Sequence, residues 1–85
     1  MPFEIIWSDS AVKELKKLDR SVAKRIFNAV SRLREDPFRA VGKIVNSPYY
    51  KLRVGDYRVI LDIQKGELRV LVLIVGHRRK IYKKK

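Results

Sequence analysis

The single histidine of the chain, His77, is followed directly by Arg78, Arg79 and Lys80 and, one residue on, by Tyr82. An imidazole, two guanidiniums, an ammonium and a phenol delivered from one point suit an anionic ligand, because guanidiniums grip phosphate oxygens in pairs and never lose their charge. More cations lie upstream. Lys51 and Arg53 alternate along Tyr49-Tyr50-Lys51-Leu52-Arg53-Val54, which puts Tyr49, Lys51 and Arg53 on one side of a strand. Arg58 sits mid-segment among aliphatic residues, where an arginine needs a partner. Adjacent strands lie about 5 Å apart, so these residues and the His77 to Lys80 cluster are expected to converge on one region. A phosphate fits it, and Tyr49, Tyr57 or Tyr82 could offer a ring face to an unstacked base.

Such a region could cleave RNA with few further parts, since the 2′-hydroxyl is a nucleophile already held in the substrate. The protein must remove its proton, stabilise a dianionic phosphorane and protonate the departing 5′-oxygen. His77, Tyr82 and Lys51 are the available proton carriers; Arg58 and Arg78 are the available charge stabilisers. Cysteine is absent, and Asp56, Asp62 and Glu67 are spread along the chain, so neither a zinc site nor a two-metal carboxylate centre is expected, and no cofactor.

The elements that must position these groups are legible from periodicity. Phe3 to Trp7 reads as an opening strand, with Trp7 in the core. Ser8 or Ser10 can cap a first helix ending near Asp19, with Ala11, Val12, Leu15 and Leu18 on one face and Lys13, Lys16 and Lys17 on the other. Val22, Ile26, Ala29, Val30 and Leu33 then mark a second helix from Ser21 to about Glu35, stopped by Asp36-Pro37. Residues 37–48 read as a loop carrying Arg39 and Lys43. Gly55-Asp56 and Lys65-Gly66 supply turns into Tyr57 to Ile63 and into an aliphatic strand from Leu68, whose continuous apolar run predicts burial on both faces until Gly76 ends it. The expected fold is α+β: a strand, a helical hairpin, then a three-stranded antiparallel meander, forming one small sheet with two helices packed on one face.

The 85 residues make one domain, residues 1–85, with a single core. Lysine and arginine number 21 against 9 acids, a net of +12. The excess is uneven: residues 1–36 hold 8 bases and 6 acids, whereas residues 37–85 hold 13 bases and 3 acids. The positive field therefore belongs to the half with the later strands, pointing to nucleic acid or an acidic protein as partner. No apolar run has the length of a membrane span, and Glu4 beside Ile5 and Ile6 does not suit a signal peptide, so a cytoplasmic location and no membrane partner are expected.

Two stretches resemble a known family. Tyr50-Lys51-Leu52-Arg53-Val54-Gly55-Asp56-Tyr57-Arg58-Val59 is similar to the K-L-R-x-G-x-Y-R hairpin of RelE-type toxins in the RelE/ParE superfamily, and Gly76-His77-Arg78-Arg79-Lys80-Ile81-Tyr82 resembles their C-terminal G-H-R-x-x-x-Y. The resemblance covers essentially the whole chain. It implies a toxin of a type II toxin–antitoxin pair: an endoribonuclease (mRNA interferase) that cuts messenger RNA on the ribosome without metal and is silenced by an acidic RelB-like antitoxin. It further implies that Lys51 donates a proton or binds phosphate, that Arg58 holds phosphate, that Arg78 lies near the leaving group and that Tyr82 acts as base. Tyr49 stands where the family has an earlier lysine, which makes His77 a competitor of Tyr82 for that last role. Lys43, Arg53, Arg79, Lys80, Lys83 and Lys84 are expected to contact RNA or ribosome. A gyrase-inhibiting ParE-like toxin and a non-catalytic basic RNA-binding module are the alternatives.

Overall fold

The computed structural model describes residues 2–77. In chain order the elements are β1 (Glu4–Trp7), α1 (Asp9–Lys16), α2 (Arg20–Ser31) with a 3-10 turn at Arg32–Arg34, then β2 (Gly42–Lys43), β3 (Tyr50–Val54), β4 (Tyr57–Gln64) and β5 (Arg69–His77). The α+β architecture matches the sequence expectation. The sheet has five strands in the order β1-β5-β4-β3-β2. It is mixed: the meander β3-β4-β5 is antiparallel, but β1 pairs with β5 in parallel, Ile5 opposite Val70 and Trp7 opposite Val72. The short β2 lies within the stretch read as loop, pairing Gly42 with Lys51 and Lys43 with Tyr50. Two residues are too few for a periodicity to show in sequence.

Both helices cover one face. Ala11, Ile26, Val30 and Leu33 meet Leu52, Val59, Leu61, Val70, Val72 and Val75 in one buried cluster. Each such aliphatic side chain contributes roughly 1.5–3 kcal/mol on burial, so this cluster is the main source of stability. Helix α1 has a good start: Ser8 Oγ accepts from the Ala11 amide at 3.0 Å, and Asp9 sits in the first turn. Helix α2 has no side-chain cap and no acid in its first turn, so it is held by the packing of Ile26 and Val30. Its last turn tightens to 3-10 before Pro37. Trp7 is only half-buried and stacks on the half-exposed Phe27 at 5.9 Å between centroids, at the margin of the core rather than inside it. Among the described residues, no helix is long and apolar enough to cross a membrane.

Strand β5 departs from expectation in two ways. Its core face is buried, but the other face is not: Ile74 is 47% exposed. Gly76 does not end it, since pairing continues to His77. There is also a break in register. Leu61 pairs with Val72, whereas the preceding Ile60 pairs with Ile74, so Leu73 is an extra residue in β5, a β-bulge. Ser8 holds this point, its amide donating to the Val72 carbonyl at 2.9 Å and its hydroxyl to the Leu73 carbonyl at 2.9 Å.

Ser8 thus ties helix cap, edge strand and bulge together. Ser8→Ala removes the cap and the Leu73 bond at once and should cost about 1–2 kcal/mol. In a domain of this size that lowers the melting temperature by about 4–8 °C per kcal/mol, with unchanged denaturant m-value. A variant that melts with the parent protein would show the bulge to be held by the strands alone.

Candidate functional site

The face of the sheet opposite the helices carries the candidate residues. Core residues Leu52, Val59 and Leu61 point toward the helices, so their neighbours Lys51, Arg53, Arg58 and Ile60 point away. Arg53 lies directly opposite Arg58, and Lys51 opposite Ile60. The two guanidiniums therefore start from backbone positions about 5 Å apart, an arrangement of like charges that costs stability across a strand pair. Arg53 is exposed and Lys51 half-buried, but Arg58 is only 4% exposed. It is partnered, and among the described residues no buried side-chain nitrogen or oxygen lacks a hydrogen bond. On its other side Arg58 faces Gly76 of β5, a residue with no side chain to compete for the space.

The stem of Lys51 leans toward the sheet edge, since a Cβ placed on Gly42 would meet the Lys51 Cε at 3.7 Å. Asp62 shares this face, where Gln64 Nε2 donates to its Oδ2 at 3.1 Å. Among the described residues no three histidine, aspartate or glutamate side chains come together where a metal ion could be held.

His77 does not join this cluster. It pairs with Tyr57, whose ring packs against the core, and the imidazole meets that ring edge-on at 5.3 Å between centroids and 78° between planes. It therefore lies on the helix-side face, whereas Arg58, one residue after Tyr57, points away from it. The bulge is the reason. Without Leu73 as an extra residue, pairing continued from Val72 would bring Val75 opposite Arg58 and His77 opposite Asp56, on the Arg58 face.

Lys43 is also elsewhere. It is paired with Tyr50, on the face opposite to Lys51, where its Nζ donates to the Ser47 carbonyl at 2.7 Å and sits 5.7 Å from the Tyr50 ring centroid. The structure thus brings together Lys51, Arg53 and Arg58. Arg78, Arg79, Lys80, Tyr82, Lys83 and Lys84 lie outside the described residues.

A second feature, on the helix side, was not expected from sequence. Arg25 of α2 lies over the β3-β4 turn, its guanidinium within 3.7–4.0 Å of where a Gly55 Cβ would stand. With Val22, Val54, Asp56 and Tyr57 it lines a cleft of about 120 Å³. Gly55 has φ +59°, a conformation few other residues adopt, so the turn is fixed by its glycine.

The fold can be placed among solved structures. The toxin–antitoxin complex RelBE2 of Mycobacterium tuberculosis contains a chain that superposes with TM-score 0.81 at 22% identity, over 92% of this chain and 93% of that one. The archaeal RelE–RelB complex of Pyrococcus horikoshii gives TM-score 0.81 at 24% identity, over 92% and 97%. The intact RelBE complex of E. coli gives 0.79 at 23%, over 88% and 95%. At such identity these likenesses establish the fold, that of the RelE toxins. Comparison with curated protein sequences yields no match. Residues 5–82 match the profile of the family described as the ParE toxin of type II toxin–antitoxin systems, and the chain belongs to this family within the RelE/ParE superfamily.

The bulge makes a checkable statement about the site. Leu73→Ala keeps the residue count and should keep the Tyr57–His77 ring contact, read as a nuclear Overhauser effect between the two rings. Deleting Leu73 should abolish that contact, because Ile74 then takes the core position opposite Val59 and everything after it changes face. A contact that survives the deletion would mean that the strand ends, not the bulge, set the direction of His77.

Proposed function

We propose that this toxin is a ribosome-dependent endoribonuclease that cuts messenger RNA without a metal, through attack of the substrate's own 2′-hydroxyl. The observation that carries the reading is the Arg53–Arg58 pair beside Lys51, on the sheet face that the two helices leave uncovered. Two guanidiniums facing one another suit the doubly charged phosphorane that forms as the 2′-oxygen adds to phosphorus. The bond from phosphorus to the 5′-oxygen then breaks, leaving a 2′,3′-cyclic phosphate on one fragment and a 5′-hydroxyl on the other. Lys51, on the same face, is placed to protonate the leaving oxygen or hold a phosphate. With His77 turned to the helix side, the role of base falls in this reading to Tyr82, in the tail that also supplies Arg78.

The partner in this reading is an acidic, RelB-like antitoxin in the cytoplasm. Support comes from the excess of ten positive charges over residues 37–85 and from the neighbouring structures, which are RelE–RelB or RelBE complexes. An acidic chain laid over the cationic face would block the surface RNA needs and associate at a rate that falls with salt.

A second reading is favoured by one observation: the matched family profile is that of ParE, so inhibition of gyrase is the rival activity. Induction of the chain separates the two. The nuclease reading expects translation to stop first, with messenger RNA cut inside codons and ending in cyclic or 3′-phosphates. Arg58→Ala should lower the cleavage rate on the order of 100-fold or more while the antitoxin still binds. Replication arrest with intact messages would instead establish the gyrase reading, and 3′-hydroxyl ends would exclude internal attack.

A further inference from the structure

Next to the cationic pair, the same face ends in an aromatic ring. The Ile44 amide donates to the Tyr49 carbonyl at 3.1 Å, which extends the β2-β3 pairing one step beyond Lys43 and Tyr50. Strand alternation then puts the Tyr49 side chain on the face of Lys51 and Arg53, about 7 Å along the strand from Lys51. Its neighbour Tyr50 goes the other way and packs edge-on against Phe38 at 5.5 Å. Tyr49 is 38% exposed, at the open edge of the sheet, and the loop before it is braced. Lys43 Nζ holds the Ser47 carbonyl, Ser47 Oγ accepts from the Tyr49 amide at 3.1 Å, and Asn46 takes the left-handed conformation at φ 58° that closes the turn. The backbone under the ring is therefore fixed before any ligand arrives.

We infer that Tyr49 is a base-stacking subsite: it holds the unpaired nucleobase of the nucleotide whose phosphate lies at Lys51 and the Arg53–Arg58 pair. This rests on the RNA reading above and adds to it how substrate is positioned. The lean of Lys51 toward Gly42 brings its ammonium to the Tyr49 side of the sheet, so ring and charge face one nucleotide from neighbouring positions. A tyrosine ring gives stacking without regard to base identity, as recognition of single strands in many contexts requires. Where a lysine in that position would add charge, tyrosine contributes orientation.

The test uses the full chain and a labelled single-stranded RNA hexamer with 2′-O-methyl groups, which binds without being cut. Tyr49→Ala should weaken binding roughly 5- to 100-fold, whereas Tyr49→Phe should bind as the parent does. A set of hexamers, each with one abasic position, supplies the readout that a merely structural role would not move. One abasic position should weaken binding to the parent and to Tyr49→Phe but have no further effect on Tyr49→Ala. Equal melting temperatures of the three proteins exclude unfolding as the cause. If Arg58→Ala loses binding while Tyr49→Ala keeps it, or if abasic losses are the same in parent and Tyr49→Ala, the subsite is refuted and the RNA reading stands. If the parent itself binds no RNA, both are refuted.

Discussion

Between Val72 and Ile74, strand β5 carries one residue more than the partner it pairs with, and the direction of every side chain after that point depends on it. Before the bulge, Val70 and Val72 are core residues; after it, Val75 takes the core position, Gly76 falls opposite Arg58, and His77 falls opposite Tyr57. A bulge leaves backbone groups out of the regular ladder, and here Ser8 uses the Leu73 carbonyl as an acceptor. The same hydroxyl accepts from the Ala11 amide, so the start of α1, the end of β1 and the irregularity of β5 share one hydrogen-bonded junction.

The consequence for the site is a division of the cations and aromatics between two faces. On the helix side His77, Tyr57 and Arg25 gather around the β3-β4 turn, and Lys43 braces the loop beside Tyr50. On the uncovered side Lys51, Arg53 and Arg58 remain, with Tyr49 at the edge. Glycine enters that arrangement twice, and for one reason: Gly76 beside Arg58 and Gly42 beside Lys51 remove a side chain where a long cationic one must lie across the sheet. A sheet whose second face is covered would bury these charges at a prohibitive cost, so the absence of a helix there among the described residues and the cationic character of the surface belong together.

Family and fold agree with this division while leaving the chemistry to particular residues. Toxins of one superfamily share the helix-covered sheet, so the fold does not distinguish an RNA-cleaving member from an inhibitor of gyrase. The difference lies in which groups occupy the uncovered face. In this chain Lys51, Arg53 and Arg58 stand where a phosphate can be held, and a tyrosine precedes them on the same strand.

The local rules of the sequence were sufficient for the elements and for one strand's chemistry. A serine before an amphipathic stretch placed the start of α1, a glycine-aspartate pair placed the β3-β4 turn, and strict alternation put Lys51 and Arg53 on the face away from Leu52. Those are properties of a few consecutive residues. The parallel pairing of β1, the two-residue β2 and the extra residue Leu73 are relations between distant segments, and no periodicity within either segment records them. The aliphatic run of β5 concealed the bulge completely, because Val72, Leu73, Ile74 and Val75 are all compatible with either face. Packing chose among them: Ser8 fixed Leu73, Val59 took Val75, and His77, expected beside Arg58, was carried to the other side of the sheet.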